Sequence, residues 1–228
     1  MFGAAFGEVT KGGINQDFQK IFIDDAEKVK GGGNYNNADT IQVWDPLLGS
    51  TGGYTIYYMY YDGSGTYDYI WYFYNDDEIE SPMETKQGFW YNSQQKQVVE
   101  MTVAGEVNLA ATTTKHIHPG RNLIAFPYPT DFEVNEDVNW KTSGAIGGGN
   151  YNSADTIQIW DPTLGSTGGY VIYYMYFDGS GEYDYVWYFY NDDEIESPIP
   201  AAKGFWYNHK GAGFDLKFMR PFNVDDVE

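Results

Sequence analysis

The stretch YTIYYMYYDGSGTYDYIWYFY, residues 54–74, predicts a β-hairpin. Aromatic and β-branched residues favour strands and fill residues 54–61 and 66–74, while Asp62-Gly63-Ser64-Gly65 between them is typical of a turn. Successive side chains of a strand point to opposite faces. One face of the second strand is expected to carry Tyr67, Tyr69, Trp71 and Phe73, and the other Ile70, Tyr72 and Tyr74. Both faces of the hairpin are therefore predicted to be aromatic.

This hairpin belongs to a segment that occurs twice. Residues 31–91 match residues 147–207 at an offset of 116, with 49 of 61 positions identical. A match of this kind indicates a tandem duplication. The first copy also contains the strand patterns ADTIQVWDP and GFWYN, and the alternating run KQVVEMTVAGEV follows it. With 22 Tyr and 27 Gly, the chain is suited to strands joined by tight turns rather than to helices.

The two copies differ most in what precedes them. Both leading segments begin with Gly-Glu-Val and end with Asp-Phe, but one covers residues 105–132 and the other only residues 7–18. The longer segment contains NLIAFPYP, which has the composition of a strand. The first domain is therefore predicted to lack a strand that the second one has. Such a gap would leave an apolar groove beside an unpaired sheet edge.

These patterns predict an all-β protein with two tandem β-sandwich-like domains, the first lacking a strand present in the second. We expect an N-terminal assembly strand at residues 1–9, a first β-domain at 10–107 and a second β-domain at 108–228.

Charge and composition exclude several classes of function. The formal net charge is -20, from 33 acidic and 13 basic residues, which repels nucleic acid and anionic membrane surfaces. The chain has no cysteine, so it has no disulfide framework, and no apolar run is long enough for a membrane span. The start, MFGAAFGEV, lacks the basic and apolar regions of a secretory signal, so an exported protein is expected to have lost its leader already.

Three motifs in the second copy, HPGRNLIAFPYP, ADTIQIWDP and KGFWYN, resemble a repeat module of secreted and surface proteins from Verrucomicrobia, Planctomycetes and related bacteria. The module's order of motifs is followed from residue 120 to residue 207, whereas the first copy matches only from residue 38 onward because its opening strand is absent. The resemblance implies an exported β-module and no particular activity.

Paired carboxylates are the strongest suggestion of an enzyme. Asp76, Asp77, Glu78 and Glu80 follow the first hairpin, and Asp192, Asp193, Glu194 and Glu196 follow the second. A glycosidase needs two carboxyl groups facing each other across a sugar, one of them with a raised pKa. Consecutive acids in a polar loop are normally solvated, so these loops are expected to face solvent and the protein is predicted not to be an enzyme.

No cofactor is predicted, with one candidate exception. Calcium prefers several oxygen ligands and tolerates irregular loops, and acids flank both Gly-rich turns. The candidate ligands are Asp62, Asp68, Asp178 and Asp184. His116 and His118 alternate on one predicted strand, where an ordinary strand is favoured over a metal site.

The tyrosines of the hairpins form a candidate contact surface, consisting of Tyr58, Tyr60, Tyr72, Tyr74, Tyr174, Tyr176, Tyr188 and Tyr190. Exposed tyrosines on a flat sheet can stack on sugar rings. The alternative is that one face packs the core while the other stabilises the sheet through cross-strand aromatic pairs. The second interpretation is favoured.

The leading functional prediction is an extracellular or cell-surface structural subunit that forms a filament or surface lattice by β-strand addition. Residues 1–9 are expected to enter a neighbour's sheet, with Phe2, Ala4, Phe6 and Val9 as the assembly residues. The alternative is a carbohydrate-binding surface module, in which calcium assists. The predicted partners are copies of the same chain, or glycans in the alternative, without nucleic acid and without membrane insertion.

Overall fold

A computed structural model gives the architecture of the chain. The structure describes residues 29–65, 67–75, 86–95, 107–190 and 198–223 with their side chains, and residues 2–3, 6–10, 13–16, 83–84 and 106 by their backbone. In these ranges nearly all of the regular secondary structure is β, which confirms the predicted all-β class. The strands are β1 Phe2–Gly3, β2 Phe6–Thr10, β3 Gly13–Gln16, β4 Thr40–Asp45, β5 Gly53–Tyr60, β6 Ile70–Phe73, β7 Met83–Glu84, β8 Gly88–Asn92, β9 Glu106–Val107, β10 Thr112–Ile117, β11 Gly120–Ala125, β12 Thr156–Asp161, β13 Gly169–Met175, β14 Trp187–Phe189, β15 Gly204–His209 and β16 Phe214–Met219.

A five-stranded antiparallel sheet, in the order β11-β15-β12-β13-β14, forms the centre of the second domain. The two-stranded sheet β10-β16 covers one of its faces, and Ile117, Leu216 and Phe218 of that pair join Ile157 and Phe205 in one buried core. A short 3-10 helix at Trp140–Thr142 adds the buried ring of Trp140. Two apolar layers thus enclose the core, as a β-sandwich does.

The first domain contains a sheet of the same design, in the order β1-β8-β4-β5-β6. Ile41 pairs with Tyr57 in the first sheet, and Ile157 pairs with Tyr173 in the second, so the repeated strands keep the same register. At the place where the second sheet has β11, the first sheet has β1. A separate sheet in the order β7-β3-β2-β9 completes the described strands of this domain.

The hairpins are shorter than the sequence predicts. The returning strand was expected to begin at residue 66, but β6 begins at Ile70 and β14 at Trp187. Tyr69 has φ 61° and Tyr185 has φ 67°, which is left-handed backbone that a strand cannot contain. The prediction that Tyr69 lies in the strand was therefore wrong, because the turn takes up these residues.

Tryptophans from both copies join the two domains. The ring of Trp44 lies 5.2 Å from that of Trp206, and the ring of Trp90 lies 5.8 Å from that of Trp160. Trp44 is equivalent to Trp160, and Trp90 to Trp206, so each contact is repeated with the roles of the domains exchanged. The two domains therefore pack as an isologous dimer does, but within one chain.

Within the described residues, no helix has the length and apolar character that crossing a membrane would require.

Candidate functional site

The edge of β8 is the first candidate site, because it is the edge that the sequence predicts to be vacant. In the structure β1 occupies part of it, with Phe2 opposite Phe89 and Gly3 opposite Gly88. This pairing covers two residues, whereas β11 pairs with β15 over six, from Gly120 to Ala125. The predicted donor segment and the predicted acceptor edge thus meet within a single chain.

The rest of the predicted assembly segment is only partly described. The backbone of β2 pairs with β9, with Phe6 opposite Val107, and with β3, with Val9 opposite Ile14. Ala4 lies outside the described residues, and so do the side chains of Phe2, Phe6 and Val9. Their predicted role as anchors stays a prediction.

The start of β8 is held against the second domain. Gln87 forms a β-bridge with Ile124, and the backbone N–H of Ala125 donates to the carbonyl of Lys86 at 3.2 Å. A Cβ on Gly88 would lie 2.8 Å from the carbonyl oxygen of Ile124, so only glycine allows this approach. The acceptor edge is therefore positioned by β11.

The second candidate site is a groove of about 370 Å³ on the first domain, which we call the tyrosine groove. It is lined by Gly33, Tyr58, Tyr60, Tyr67 and Tyr72. Tyr58 and Tyr72 are directly opposite on β5 and β6, and Tyr60 follows on the same face of β5. Tyr67 is half exposed and comes from the turn. This groove brings together three of the four tyrosines predicted for the first domain's contact surface.

Two of the eight predicted contact residues are not on the surface. Tyr58 is fully buried and Tyr174 is 1 % exposed, which corrects the prediction for both. Tyr58 lies opposite Tyr72, and Tyr174 lies opposite Tyr188, so each is next to a tyrosine of the neighbouring strand. Tyr74 and Tyr190 are the most exposed of the eight, at 53 % and 56 %.

The rings do not form the flat platform that sugar stacking was expected to use. Tyr60 and Tyr72 are 5.3 Å apart with planes at 52°, and Tyr58 is tilted from them by 62° and 40°. In the second domain, Tyr176 and Tyr188 are 5.5 Å apart with planes at 58°. The predicted face is aromatic, but its rings form a V-shaped cleft.

One side of the groove continues into the acidic turn. The hydroxyl of Tyr60 donates to Asp62 Oδ2 at 2.7 Å, and the backbone N–H of Ser64 donates to Asp62 Oδ1 at 2.8 Å. Asp68 accepts three backbone N–H bonds, from Asp62, Gly63 and Gly65. These bonds explain why the turn needs two aspartates. The carboxylates accept from backbone N–H groups of the turn that would pair with carbonyl groups if they belonged to a strand.

The hydrogen bond between Tyr60 and Asp62 shifts both pKa values. The donated hydroxyl bond, with the Ser64 contacts, lowers the pKa of Asp62 to about 2. The same bond, with some burial, raises the pKa of Tyr60 to about 12. Asp62 is therefore ionised, and Tyr60 keeps its proton, across the physiological range. In the second domain Tyr176 donates to Asp178 at 2.8 Å, and its pKa is raised for the same reason.

The calcium prediction concerned these same aspartates. Asp62 and Asp68 are brought together, as are Asp178 and Asp184, but their oxygens accept backbone N–H groups of the turn. In the part of the chain with described side chains, no three His, Cys, Asp or Glu residues are grouped so that they could hold a metal ion. The pairs act as turn formers in this structure.

His116 of β10, and His118 just after this strand, line a polar pocket of about 340 Å³ between the domains. His116 Nδ1 is 2.7 Å from Asp215 Oδ1, and the rings of His116 and His118 are 4.7 Å apart. Burial, and next the neighbouring His116, lower the pKa of His118. The sequence favoured an ordinary strand here.

Sequence reasoning did not single out the buried aspartate that precedes β12. The carboxylate of Asp155 accepts from the backbone N–H groups of Ile146 at 2.9 Å and Lys210 at 2.7 Å, and from the Tyr207 hydroxyl at 2.7 Å. His209 Nδ1 is 2.9 Å away, and His209 Nε2 donates to a backbone carbonyl. Burial, and next the charge of Asp155, raise the pKa of Tyr207, which keeps that hydroxyl a donor.

Asp39 has the same place in the first domain. It accepts from the backbone N–H groups of Lys30 and Gln94 and from the hydroxyl of Tyr91. Ser93 stands where the second domain has His209. Since Asp39, Asp155 and His209 are all buried, a substrate would not reach them, and they serve the fold. An aspartate immediately before each strand pattern was the available signal.

The predicted acidic loops, containing Asp76, Asp77 and Glu78 in the first copy and Asp192 and Asp193 in the second, lie outside the described residues. Their solvent exposure and their lack of catalysis stay predictions.

No family model, no curated protein and no solved structure matched this chain. The resemblance to the bacterial surface module therefore stays an expectation from the sequence motifs.

Proposed function

We propose that the protein is an extracellular structural subunit, without catalytic activity, that assembles into a filament or surface lattice by β-strand addition. The observation that supports the proposal most is the short pairing of β1 with β8, at the place where the second domain has the six-residue strand β11. The location outside the cell is supported by the motif resemblance.

A donor strand paired within its own chain can make the same pairing with another copy. The main-chain hydrogen bonds are identical in both arrangements, so exchange between copies costs little beyond the entropy of association. Strand addition also satisfies N–H and C=O groups that an open sheet edge leaves exposed. The donor and the acceptor are different surfaces, so the contact is heterologous and propagates as an open filament unless the rotation closes a ring.

Deletion of residues 1–9 tests the role of the donor segment. We expect folded monomers by circular dichroism and light scattering, and no filaments by electron microscopy under conditions in which the full chain polymerises. As a control, Leu47→Ser with Leu48→Ser removes two exposed apolar side chains outside the donor segment and should leave polymers unchanged. Filaments of unchanged length and yield from the truncated chain would refute the proposal.

A second experiment distinguishes pairing within a chain from pairing between chains. A photoreactive phenylalanine replaces Phe2, which lies opposite Phe89, and equal amounts of ¹⁴N-labelled and ¹⁵N-labelled chains are assembled and irradiated. Strand exchange predicts that about half of the cross-linked peptide pairs in filaments carry mixed labels, by random association. The same probe at Tyr35, an exposed turn residue, is the control. Filaments in which all Phe2 cross-links carry a single label would contradict the proposal.

A further inference from the structure

The tyrosine groove has the geometry of a site for a positively charged group. The rings of Tyr60 and Tyr72 are tilted by 52° with their centroids 5.3 Å apart, and both line the groove of about 370 Å³, which has room for a small group against the rings. Tyr58 closes the base at 6.4 Å from Tyr72, and Tyr67, which is half exposed, lines the outer side. Cations bind over tyrosine faces at up to about 6 Å from the ring centroid.

Charge around the groove has one sign. Asp62 lies at its rim and is held by Tyr60, and no Lys or Arg is among the residues that line the groove in the described part of the chain. Hydrogen bonding from Tyr60 to a carboxylate also makes the Tyr60 ring more electron-rich, which strengthens attraction for a cation. The whole chain has a formal net charge of -20, which adds a field of the same sign.

We infer that the tyrosine groove binds a small organic cation with an alkylated ammonium group, of the kind that ends in a trimethylammonium head. Methyl groups on the nitrogen fill the cleft between tilted rings, and the positive charge is attracted both by the ring faces and by the carboxylate at the rim. A flat sugar ring has less to gain from this site, because stacking needs one exposed planar ring face. This inference is independent of assembly by strand addition.

The second domain repeats the residues of the tyrosine groove. Tyr176, Tyr188 and Asp178 repeat the geometry of the first domain, with ring centroids 5.5 Å apart and the hydroxyl bond at 2.8 Å. A Cβ on Gly33 or on Gly149 would meet no atom within 4 Å, so larger side chains at these loop positions enter open space. The inference therefore extends to both domains, and a blocking substitution at either glycine leaves the tyrosines intact.

Choline and its neutral isostere 3,3-dimethylbutan-1-ol are the probes, followed by NMR at the backbone amides of Gly33 and Gly149 in the full chain. We expect choline to give saturable shifts at both amides and the isostere to bind at least about five-fold more weakly, since only the cationic attraction differs. Asp62→Asn should weaken choline binding at the first site by about two- to five-fold. This is the change in affinity expected when one exposed contact with a cation is lost.

The blocking variants locate the site. Gly33→Trp should remove the choline shift in the first domain and leave that of Gly149, and Gly149→Trp should do the reverse. Tyr61→Phe is the matched control, because the second copy has Phe177 at that position, and it should bind choline as the wild type does. The inference is overturned if the isostere binds as tightly as choline, if choline gives no saturable shift, or if both blocked variants bind normally. It is also overturned if cellohexaose, and not choline, shifts the same amides, which would make the groove a glycan site.

Discussion

Asp155 shows how one buried charge organises the loops around a strand. Four donors converge on its carboxylate, two from the backbone and one each from Tyr207 and His209. His209 Nε2 donates to the carbonyl of Ala212, so both nitrogens of the His209 ring are held by the fold. A buried carboxylate with this many donors is costly to remove, because each donor is then left without a partner.

Asp155→Ala should therefore lower the free energy of unfolding by about 3–5 kcal/mol, as loss of one member of a buried charged network does. Asp39→Ala should have an effect of similar size in the first domain. Urea unfolding followed by tryptophan fluorescence measures both, and Asp131→Ala, at an exposed position, is the control. A loss below about 1 kcal/mol in both variants would show that the network is not structural.

Asp137 is predicted to make stability depend on pH. Burial raises its pKa to about 6, and the Glu133 and Glu136 charges add to the effect. Between pH of about 4 and about 6, the folded state therefore holds a proton that the unfolded chain has released. Asp137 makes the protein more stable as the pH falls through this range, and it opposes folding above a pH of about 6. At neutral pH, the ionisation of Asp137 lowers the free energy of unfolding by at most about 3 kcal/mol.

Asp137→Asn should raise the free energy of unfolding at pH 7.5 by about 1–3 kcal/mol and should remove this part of the pH dependence. The amide oxygen can still accept from the Glu133 N–H, which donates to Asp137 at 2.8 Å. Urea unfolding at pH 5 and pH 7.5 measures both the stability at pH 7.5 and its pH dependence, with the exposed Glu182→Gln as control. A variant that is equally destabilised at both pH values would contradict the linkage.

At the scale of single elements, the close approach of β8 to β11 depends on one glycine. The missing side chain of Gly88 leaves room for the carbonyl of Ile124, which as backbone cannot move aside cheaply. This contact keeps the acceptor edge in place while β1, with its short pairing, remains exchangeable.

Gly88→Ala should lower the free energy of unfolding by about 1–3 kcal/mol, the usual cost of overpacking. Gly33→Ala is the matched control, because a Cβ there meets nothing within 4 Å, and it should change stability by less than about 0.5 kcal/mol. Thermal unfolding measures both variants. Equal effects would mean that the approach of β8 to β11 is not constrained.

At the scale of the whole molecule, the reciprocal tryptophan contacts couple the two domains. Trp44 lies edge-on to Trp206, and its Nε1 donates to the carbonyl of Arg121 at 2.8 Å, so it contributes both packing and a hydrogen bond. Trp160 repeats the edge-on contact with Trp90. An interface built in this way makes unfolding of one domain expose apolar surface of the other.

The double variant Trp44→Ala with Trp160→Ala should separate thermal unfolding into two transitions, whereas the wild type should unfold in one. Differential scanning calorimetry measures the number of transitions. A double-mutant cycle on Trp44 and Trp206 should show a coupling energy of about 0.5–1.5 kcal/mol. Tyr35→Ala, exposed and outside the interface, is the control. A single transition in the double variant would contradict the coupling.

The sequence by itself determined the all-β class and the pairing of the hairpin strands. Alternation and turn residues are local signals, so the hairpin and the strand β4 followed from them. A comparison of the two leading segments predicted a missing strand at the edge where β1 pairs over only two residues. The hairpin boundary did not, because Tyr69 is an ordinary strand residue whose left-handed conformation is imposed by the turn bonds of Asp62 and Asp68.

Only the tertiary structure decided which surfaces are free and which are buried. Tyr58 and Tyr60 have the same pattern in sequence, but loops and neighbouring strands cover Tyr58 and leave Tyr60 on the groove. Trp44 and Trp206 meet across 162 residues of chain, and the donors of Asp155 come from both sides of its strand. Such contacts depend on how whole layers pack, and local periodicity carries no information about the partner layer.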